Sequence, residues 1–264
     1  MGWTRFFADG KNSAAPPPPV WVRAANFLLA ALVISLVFCF SFLHLAYHLQ
    51  WQSIAPYRML FLRGWRTTIV ISAAALGGSC LIGLLLALAG RSRWLALRYF
   101  SRIYVEVVRG TPLLVQILIL FYVVANAFGL DNRYVAGVIT LSVFSGAYIA
   151  EIIRAGIESV GKSQLESAQA IGFTRAQTYR HVIFPQALRQ TLPPLAGQFA
   201  SLVKDSSLLS IIAIPEFTAN AQAVNARTFS TLESYLPLAA GYLILTLPIS
   251  LWTRRLERRH KYES

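Results

Sequence analysis

Five stretches of the chain, 25–47, 67–90, 110–130, 134–150 and 234–253, contain no Asp, Glu, Lys or Arg. A helix needs roughly 18–20 apolar residues to cross a ~30 Å hydrocarbon core, and all but the fourth run reach that length alone. The fourth can continue a turn past Glu151. A sixth apolar stretch, 192–215, is interrupted by Lys204 and Asp205. Lipid offers no hydrogen bonds to a bare backbone, so only helices and closed barrels span it, and these runs lack the alternation of barrel strands. The composition agrees: 56% of residues are hydrophobic and 13% charged, which excludes an ordinary soluble domain. The sequence therefore predicts an all-α integral membrane protein with six spanning helices.

A net charge of +13 raises the question of a nucleic-acid partner, but the distribution of the charge points to topology and to no nucleic acid. With the N-terminus inside, the inner segments hold Arg5, Lys11 and Arg23; Arg91, Arg93, Arg98 and Arg102; Arg154, Lys162, Arg175, Arg180 and Arg189; and Arg254, Arg255, Arg258, Arg259 and Lys261. The outer segments hold only Arg58, Arg63, Arg66, Arg133 and Arg227. The positive-inside rule then places both termini in the cytoplasm. Cys39 and Cys80 fall within apolar runs and read as core thiols.

Along the chain, a basic, Pro-rich tail (1–23) precedes a first helix at about 25–48, and a short outer segment follows. Further helices are expected at about 67–90, 103–128 and 134–153. The polar segment 155–191 is the longest soluble stretch between spans. Two more helices, joined by an outer segment near 216–233, lead to a basic tail at 259–264.

The octapeptide GIESVGKS, 156–163, fits the phosphate-loop pattern G-x-x-x-x-G-K-[ST]. Its surroundings do not. Glu151 and Arg154 precede it at a spacing suited to a helix rather than a buried strand. Glu158 would repel phosphate, and no apolar strand ending in Asp follows. Instead the segment reads as two short helices, about 164–171 and 175–184. Capping boxes at Ser163/Glu166 and Thr174/Gln177 start them, Gly172 ends the first and Pro185 the second.

Glu166, Ser167 and Ala168, then Gly172, then Ile183 and Pro185 resemble the EAA loop of bacterial ABC importer permeases, above all the polar amino acid permease family. Three more motifs of that family match in order. Arg109, Gly110, Thr111, Pro112 and Gln116 resemble its R-G-T-P-x-x-x-Q element; Ala147, Tyr148, Glu151, Arg154 and Gly156 resemble A-Y-x-x-E-x-x-R-x-G; and Leu202, Lys204, Asp205, Ser207 and Leu208 resemble L-x-K-D-[ST]-S-L. The likeness covers about 64–258. Ser167 replaces the middle Ala of the loop, Phe184 replaces Leu, and Gly161 and Ser163 stand where the family has Pro and Gly. The helix at 24–48 is extra to the family's five-helix core.

The resemblance implies that Glu166, Ser167, Ala168, Gly172, Phe173, Ile183 and Pro185 form a coupling loop that docks on a separate ATPase dimer. It implies a second permease subunit, identical or homologous, an extracytoplasmic solute-binding protein and an amino acid substrate. The setting would be the bacterial inner membrane. ATP and magnesium would belong to the ATPase, with no cofactor or catalytic residue in this chain. Arg109, Gly110, Thr111, Pro112, Glu151 and Arg154 would be structural.

For a substrate path, polar side chains inside spans are the candidates. Gln198, Ser201 and Asp205 recur at i, i+3 and i+7 on one helix face, with Lys204 and Ser207 beside them and Gln116 on an earlier helix. No His, Cys, Asp or Glu cluster has metal-ligand spacing. An ion-driven carrier or channel, a membrane NTPase using the octapeptide, and a scaffold without cargo are the rival readings.

Overall fold

The computed structural model describes residues 19–44 and 47–261, with the side chains of 258–261 excepted. The chain divides into two units, 1–49 and 50–264. Within the first, helix α1 spans Val20–Leu43 and opens after Pro19. It begins before the expected 25 and takes up Arg23, whose long stem lets its charge reach the interface from an apolar helix. His44 closes it, with Nδ1 2.9 Å from the Phe40 carbonyl. The rest of the Pro-rich tail, including Pro16 to Pro18, lies outside the described residues.

In the second unit, α2 (Trp51–Ile54) leads through a tight turn into α3 (Arg58–Gly90). Next come α4 (Leu95–Gly110), α5 (Leu113–Ile119), α6 (Arg133–Glu158), α7 (Lys162–Ala170) and α8 (Arg175–Thr178). The chain ends with α9 (Phe184–Asp205), α10 (Phe217–Thr228) and α11 (Thr231–Lys261). No strand occurs among the described residues. Four of the described helical stretches are long and apolar enough to cross a membrane, and the bent pair α4 and α5 makes a fifth if it counts as one span. The sixth predicted span, which includes α9, is not among them: Gln198, Lys204 and Asp205 make it polar for a span.

Several boundaries differ from those the sequence suggests. Arg58, Arg63 and Arg66 stand on the first turns of α3, not in a loop. Thirty-three residues at ~1.5 Å each make roughly 50 Å of helix, so α3 overreaches the hydrocarbon and its basic start can stay wet. The expected helix at 103–128 is broken instead, with α4 and α5 meeting at 110°. Pro112 is the physical reason: it forces Thr111 out of the helical region, to φ −118° and ψ 144°. Pro185 does not end a helix. A π-helical turn, Tyr179–Ile183, carries α8 into α9, and Pro185 falls in the first turn beyond it, where a missing N–H costs little. Finally, the basic C-terminal run remains helical to Lys261.

The core is the seam between α3 and α6, onto which α9 packs. Ile71, Ala75, Leu141, Ala147, Leu202, Leu209 and Ile214 are buried there. Small residues make close approach possible. A Cβ at Gly83 would lie 2.6 Å from Ile149 Cγ2, and one at Gly146 would lie 2.7 Å from Ile82 Cγ2. Ser142, facing Gly78 across the seam, donates to the Ala75 carbonyl at 3.2 Å. Gly156 meets Thr191 of α9 in the same way.

Gly83→Val is therefore expected to cost roughly 1–3 kcal/mol by overpacking. Gly77→Ala, where a Cβ would meet nothing within 4 Å, is expected to be neutral or slightly stabilising. Thermal midpoints of the two detergent-solubilised variants check this contrast.

Candidate coupling and translocation site

The polar segment after α6 is built to present a short helix. Gly161 precedes α7, so the helix starts at Lys162, one residue before the Ser163 cap expected, and the Ser163/Glu166 box does not form. The Thr174/Gln177 box does form, with the Gln177 amide donating to Thr174 Oγ1 at 3.3 Å and the Thr174 amide to Gln177 Oε1 at 2.8 Å. Between them α7 ends in a Schellman turn. The Phe173 amide reaches the Ala168 carbonyl at 3.0 Å, and the Gly172 amide reaches that of Gln169 at 3.0 Å. Gly172 has φ +79°, and a Cβ there would meet nothing within 4 Å of the chain itself. The glycine is thus required by backbone conformation, not by crowding within the chain.

Ala168 and Ile183 are buried and anchor the segment, Phe173 is half-buried, and Glu166, Ser167, Gly172 and Pro185 are exposed. Ile171 is 69% exposed and does not complete an apolar face with Leu165 and Ala168. The octapeptide has no phosphate cradle. Gly156 to Glu158 are the last residues of α6, where a phosphate loop would follow a strand.

Two of the sequence motifs meet in space. Arg109, at the end of α4, stands 3.5 Å from Glu151 and 5.4 Å from the centre of the Tyr148 ring, both on α6. Glu151 also accepts from Arg154 at 2.6 Å, and Arg154 pairs with Glu158. The i,i+3 pair of Glu151 and Arg154 forms as expected, and Arg109 joins the same carboxylate. Gln116 sits at the break itself. Its Nε2 donates to the Val108 carbonyl at 2.7 Å, the Thr111 carbonyl at 3.1 Å and Thr111 Oγ1 at 2.7 Å. The residue pairs carbonyls that the bend at Gly110, Thr111 and Pro112 leaves exposed.

On α9, Gln198, Ser201 and Asp205 are all half-buried. Gln198 Nε2 lies 3.2 Å from Ser145 Oγ on α6. Lys204 is exposed, and no ion pair joins it to Asp205 among the described residues. A 3-10 turn, Ser206–Ile212, follows, with Ser206 buried and Ser207 half-buried. Among the described residues no three His, Cys, Asp or Glu could together hold a metal ion.

The sequence reading missed Glu216, fully buried in the connection that had looked like an outer loop. It accepts from the Thr218 amide at 2.8 Å, the Ala219 amide at 2.7 Å, Tyr242 Oη at 3.1 Å and Thr68 Oγ1 at 3.4 Å. A Cβ at Gly64 would come 2.6 Å from Asn220 Nδ2, which leaves room there only for glycine. Glu216 thereby ties α3, α10 and α11 together. Its signal in the sequence is slight: an acidic residue just before a helix is also what an ordinary N-cap looks like.

Residues 79–262 match the family described as "Binding-protein-dependent transport system inner membrane component". The glutamine transport system permease protein GlnP of Escherichia coli K12 is 40% identical over 219 residues, covering 80% of this chain and 98% of GlnP. The probable glutamine ABC transporter permease protein GlnM of Bacillus subtilis is 36% identical over 200 residues, covering 76% of this chain and 93% of GlnM. The crystal structure of an amino acid ABC transporter with histidines has a chain 36% identical to this one, with TM-score 0.75, covering 81% of this chain and all of that one. The methionine transporter MetNI, at 18% identity and TM-score 0.65, shares the fold. The chain belongs to the family of binding-protein-dependent transport system inner membrane components. It is a multi-pass permease subunit of an ABC importer, a transport component.

Two outcomes are expected. Gln116→Leu leaves carbonyls at the α4–α5 break unpaired and should lower stability by roughly 1–3 kcal/mol in a thermal melt. For Glu216, burial pushes the carboxyl up from its ordinary 4.5, against the opposing pull of its hydrogen bonds. The unfolded chain then ionises first as pH rises, so the ionisable group costs stability between its unfolded and folded pKa values and no more above them. The stability of Glu216→Gln relative to wild type should therefore climb as pH rises from about 4.5, which melts across a pH series would detect.

Proposed function

We propose that this chain forms half of the translocation path for a polar amino acid, with glutamine the first substrate to test, and that α7 transmits ATP-driven motion to it. The observation that carries the coupling role is the exposed, Schellman-terminated α7, slung between the end of α6 and the π-helical entry to α9. Glu166, Ser167 and Gly172 offer a docking face to one subunit of an ATPase dimer, which binds ATP and magnesium. Ala168, Phe173 and Ile183 hold that face to the membrane helices, and exposed Pro185 opens the helix beyond. A second permease subunit completes the path, and an extracytoplasmic binding protein delivers the amino acid. Both termini are cytoplasmic, as the positive-inside distribution supports.

Within the path, Gln198, Ser201 and Asp205 present carboxamide, hydroxyl and carboxylate groups along one side of α9, with Lys204 on an adjacent, exposed face and Ser207 in the turn that follows. A zwitterion needs both signs of partner, and Lys204 and Asp205 supply them. Glutamine in the names of two relatives, and a carboxamide at Gln198 rather than a further carboxylate, favour a substrate without a net positive charge.

ATP turnover of the complex, purified through a tag on this chain and supplied with glutamine-loaded binding protein, tests the reading. Lys162→Ala should leave turnover within about twofold of wild type, since Lys162 holds no phosphate. Gly172→Asp should lose the ATPase subunit or most of the stimulated turnover, because a non-glycine residue at φ +79° costs roughly 1–2 kcal/mol and its side chain enters the docking face. Loss of all nucleotide binding in Lys162→Ala would overturn it.

A further inference from the structure

Helix α4 lies across the bundle rather than along it. The seam contacts step together down α3 and α6, from Gly78 against Ser142 to Gly83 against Ile149, so the two helices run parallel and Leu86 stands at the level of Glu151. Ser101 of α4 donates to the Leu86 carbonyl at 2.8 Å, and Arg109, two turns further along α4, reaches Glu151. These contacts hold the stretch near one depth, with the long Tyr104 side chain reaching further along α6 to the Val143 carbonyl at 2.9 Å, and the 110° bend that follows turns α4 away from the direction of a span. Since α3 and α6 read as membrane spans, α4 lies close to the membrane plane. Leu86 and Glu151 precede the ends of their helices by four and seven residues, roughly 6–10 Å at ~1.5 Å each, which is the depth of the headgroup boundary.

At 100° per residue α4 presents distinct faces, although exposed Glu106 stands one turn beyond Arg102 on the basic flank. Ser101, Tyr104 and Val108 point into the protein. On one flank stand Arg98 and Arg102. On the other stand Phe100, Ile103 and Val107, respectively 61%, 59% and 57% exposed. Trp94, just before the helix, is 74% exposed. Residues 91–105 include four arginines and no acid. Of these, Arg91 lies 5.8 Å from the centre of the Tyr179 ring beside the coupling segment, while Arg93, Arg98 and Arg102 have no protein partner among the described residues. A helix standing upright in lipid could not carry an arginine flank along its length, whereas an in-plane helix with opposed basic and apolar flanks suits an interface.

We propose that α4 and the turn before it form a binding surface for anionic phospholipid. Arg93, Arg98 and Arg102 engage the headgroup phosphates, and Trp94, Phe100 and Ile103 enter the acyl boundary beside them. Charge complementarity names the occupant: unpaired guanidinium groups with an adjacent apolar flank match a lipid that carries both an anion and acyl chains. The same Arg91 contact places this surface next to the segment that leads from α7 into α9.

The test uses the whole transporter complex in vesicles of phosphatidylcholine and compares the motionally restricted fraction of spin-labelled phosphatidylglycerol with that of spin-labelled phosphatidylcholine. Wild type should prefer phosphatidylglycerol by roughly threefold or more, given the attraction of clustered arginines for anionic headgroups. The triple variant R93Q/R98Q/R102Q should fall to parity, and R93K/R98K/R102K should keep the preference. If the glutamine variant does not assemble, raising salt to about 0.5 M on wild type should remove most of the preference, as expected of exposed charges. No preference in wild type, or a preference that survives both the glutamine substitutions and salt, overturns the proposal. So does a glutamine variant that keeps its lipid preference but sheds the ATPase subunit, which would make the flank a protein-docking face.

Discussion

The parallel seam of α3 and α6 is the interaction on which the rest of the structure depends. Helices in lipid gain nothing from burying apolar surface against one another, because acyl chains are as apolar as leucine. What holds them is dispersion at short range and the few hydrogen bonds that short range permits. Gly78, Gly83 and Gly146 bring the two backbones close enough for Ser142 to reach a carbonyl of the opposite helix. Gly156 extends the same logic to Thr191, so α9 is registered against α6 near the end that leads into α7.

Polar joints do the remaining work, and each sits where the chain departs from regular helix. The bend at Pro112 leaves carbonyls that Gln116 closes, and Arg109 fastens the end of α4 to Glu151. Glu216 gathers two amides and two hydroxyls where α10 begins. A buried polar group without a partner costs free energy, so irregular backbone at these places is favoured by such partners. The family motifs R-G-T-P-x-x-x-Q and A-Y-x-x-E-x-x-R-x-G are therefore halves of one joint. Tyr148 and Glu151 receive the arginine that the Gly110–Pro112 bend delivers.

Much of this was legible in the sequence because lipid enforces composition. The uncharged runs located α3, α6 and α11, and Gly172 declared a left-handed helix end without ambiguity. The misreadings share a cause. Proline is not a terminator in itself, because its effect depends on where the lost N–H falls. Following a π-helical turn it is harmless, whereas at 112 it sets the preceding residue and redirects the chain by more than a right angle. Arg58, Arg63 and Arg66 suggested a loop because charge was equated with non-helix, although a helix longer than the bilayer is thick can carry charge at its wet end. Glu216 reads locally as an ordinary N-cap through the Thr218 and Ala219 amides, and no local pattern encodes its contacts with Thr68 of α3 and Tyr242 of α11 across the bundle.

The false phosphate loop before α7 arises because Gly161 and Ser163 flank Lys162 where the resembled loop has Pro and Gly. The difference from a true phosphate loop lies upstream. A phosphate loop hangs from a strand so that successive amides converge on one anion. Here a helix runs through Glu158, its amides are spent on carbonyls four residues back, and Ser159 continues the pattern by bonding the Ala155 carbonyl. Gly156, which the motif would assign to phosphate, is instead pressed against Thr191. That contact gives the segment its mechanical character. α7 is tethered on one side through the end of α6 and on the other through α8 to α9, and α6 and α9 are themselves locked together at Gly156.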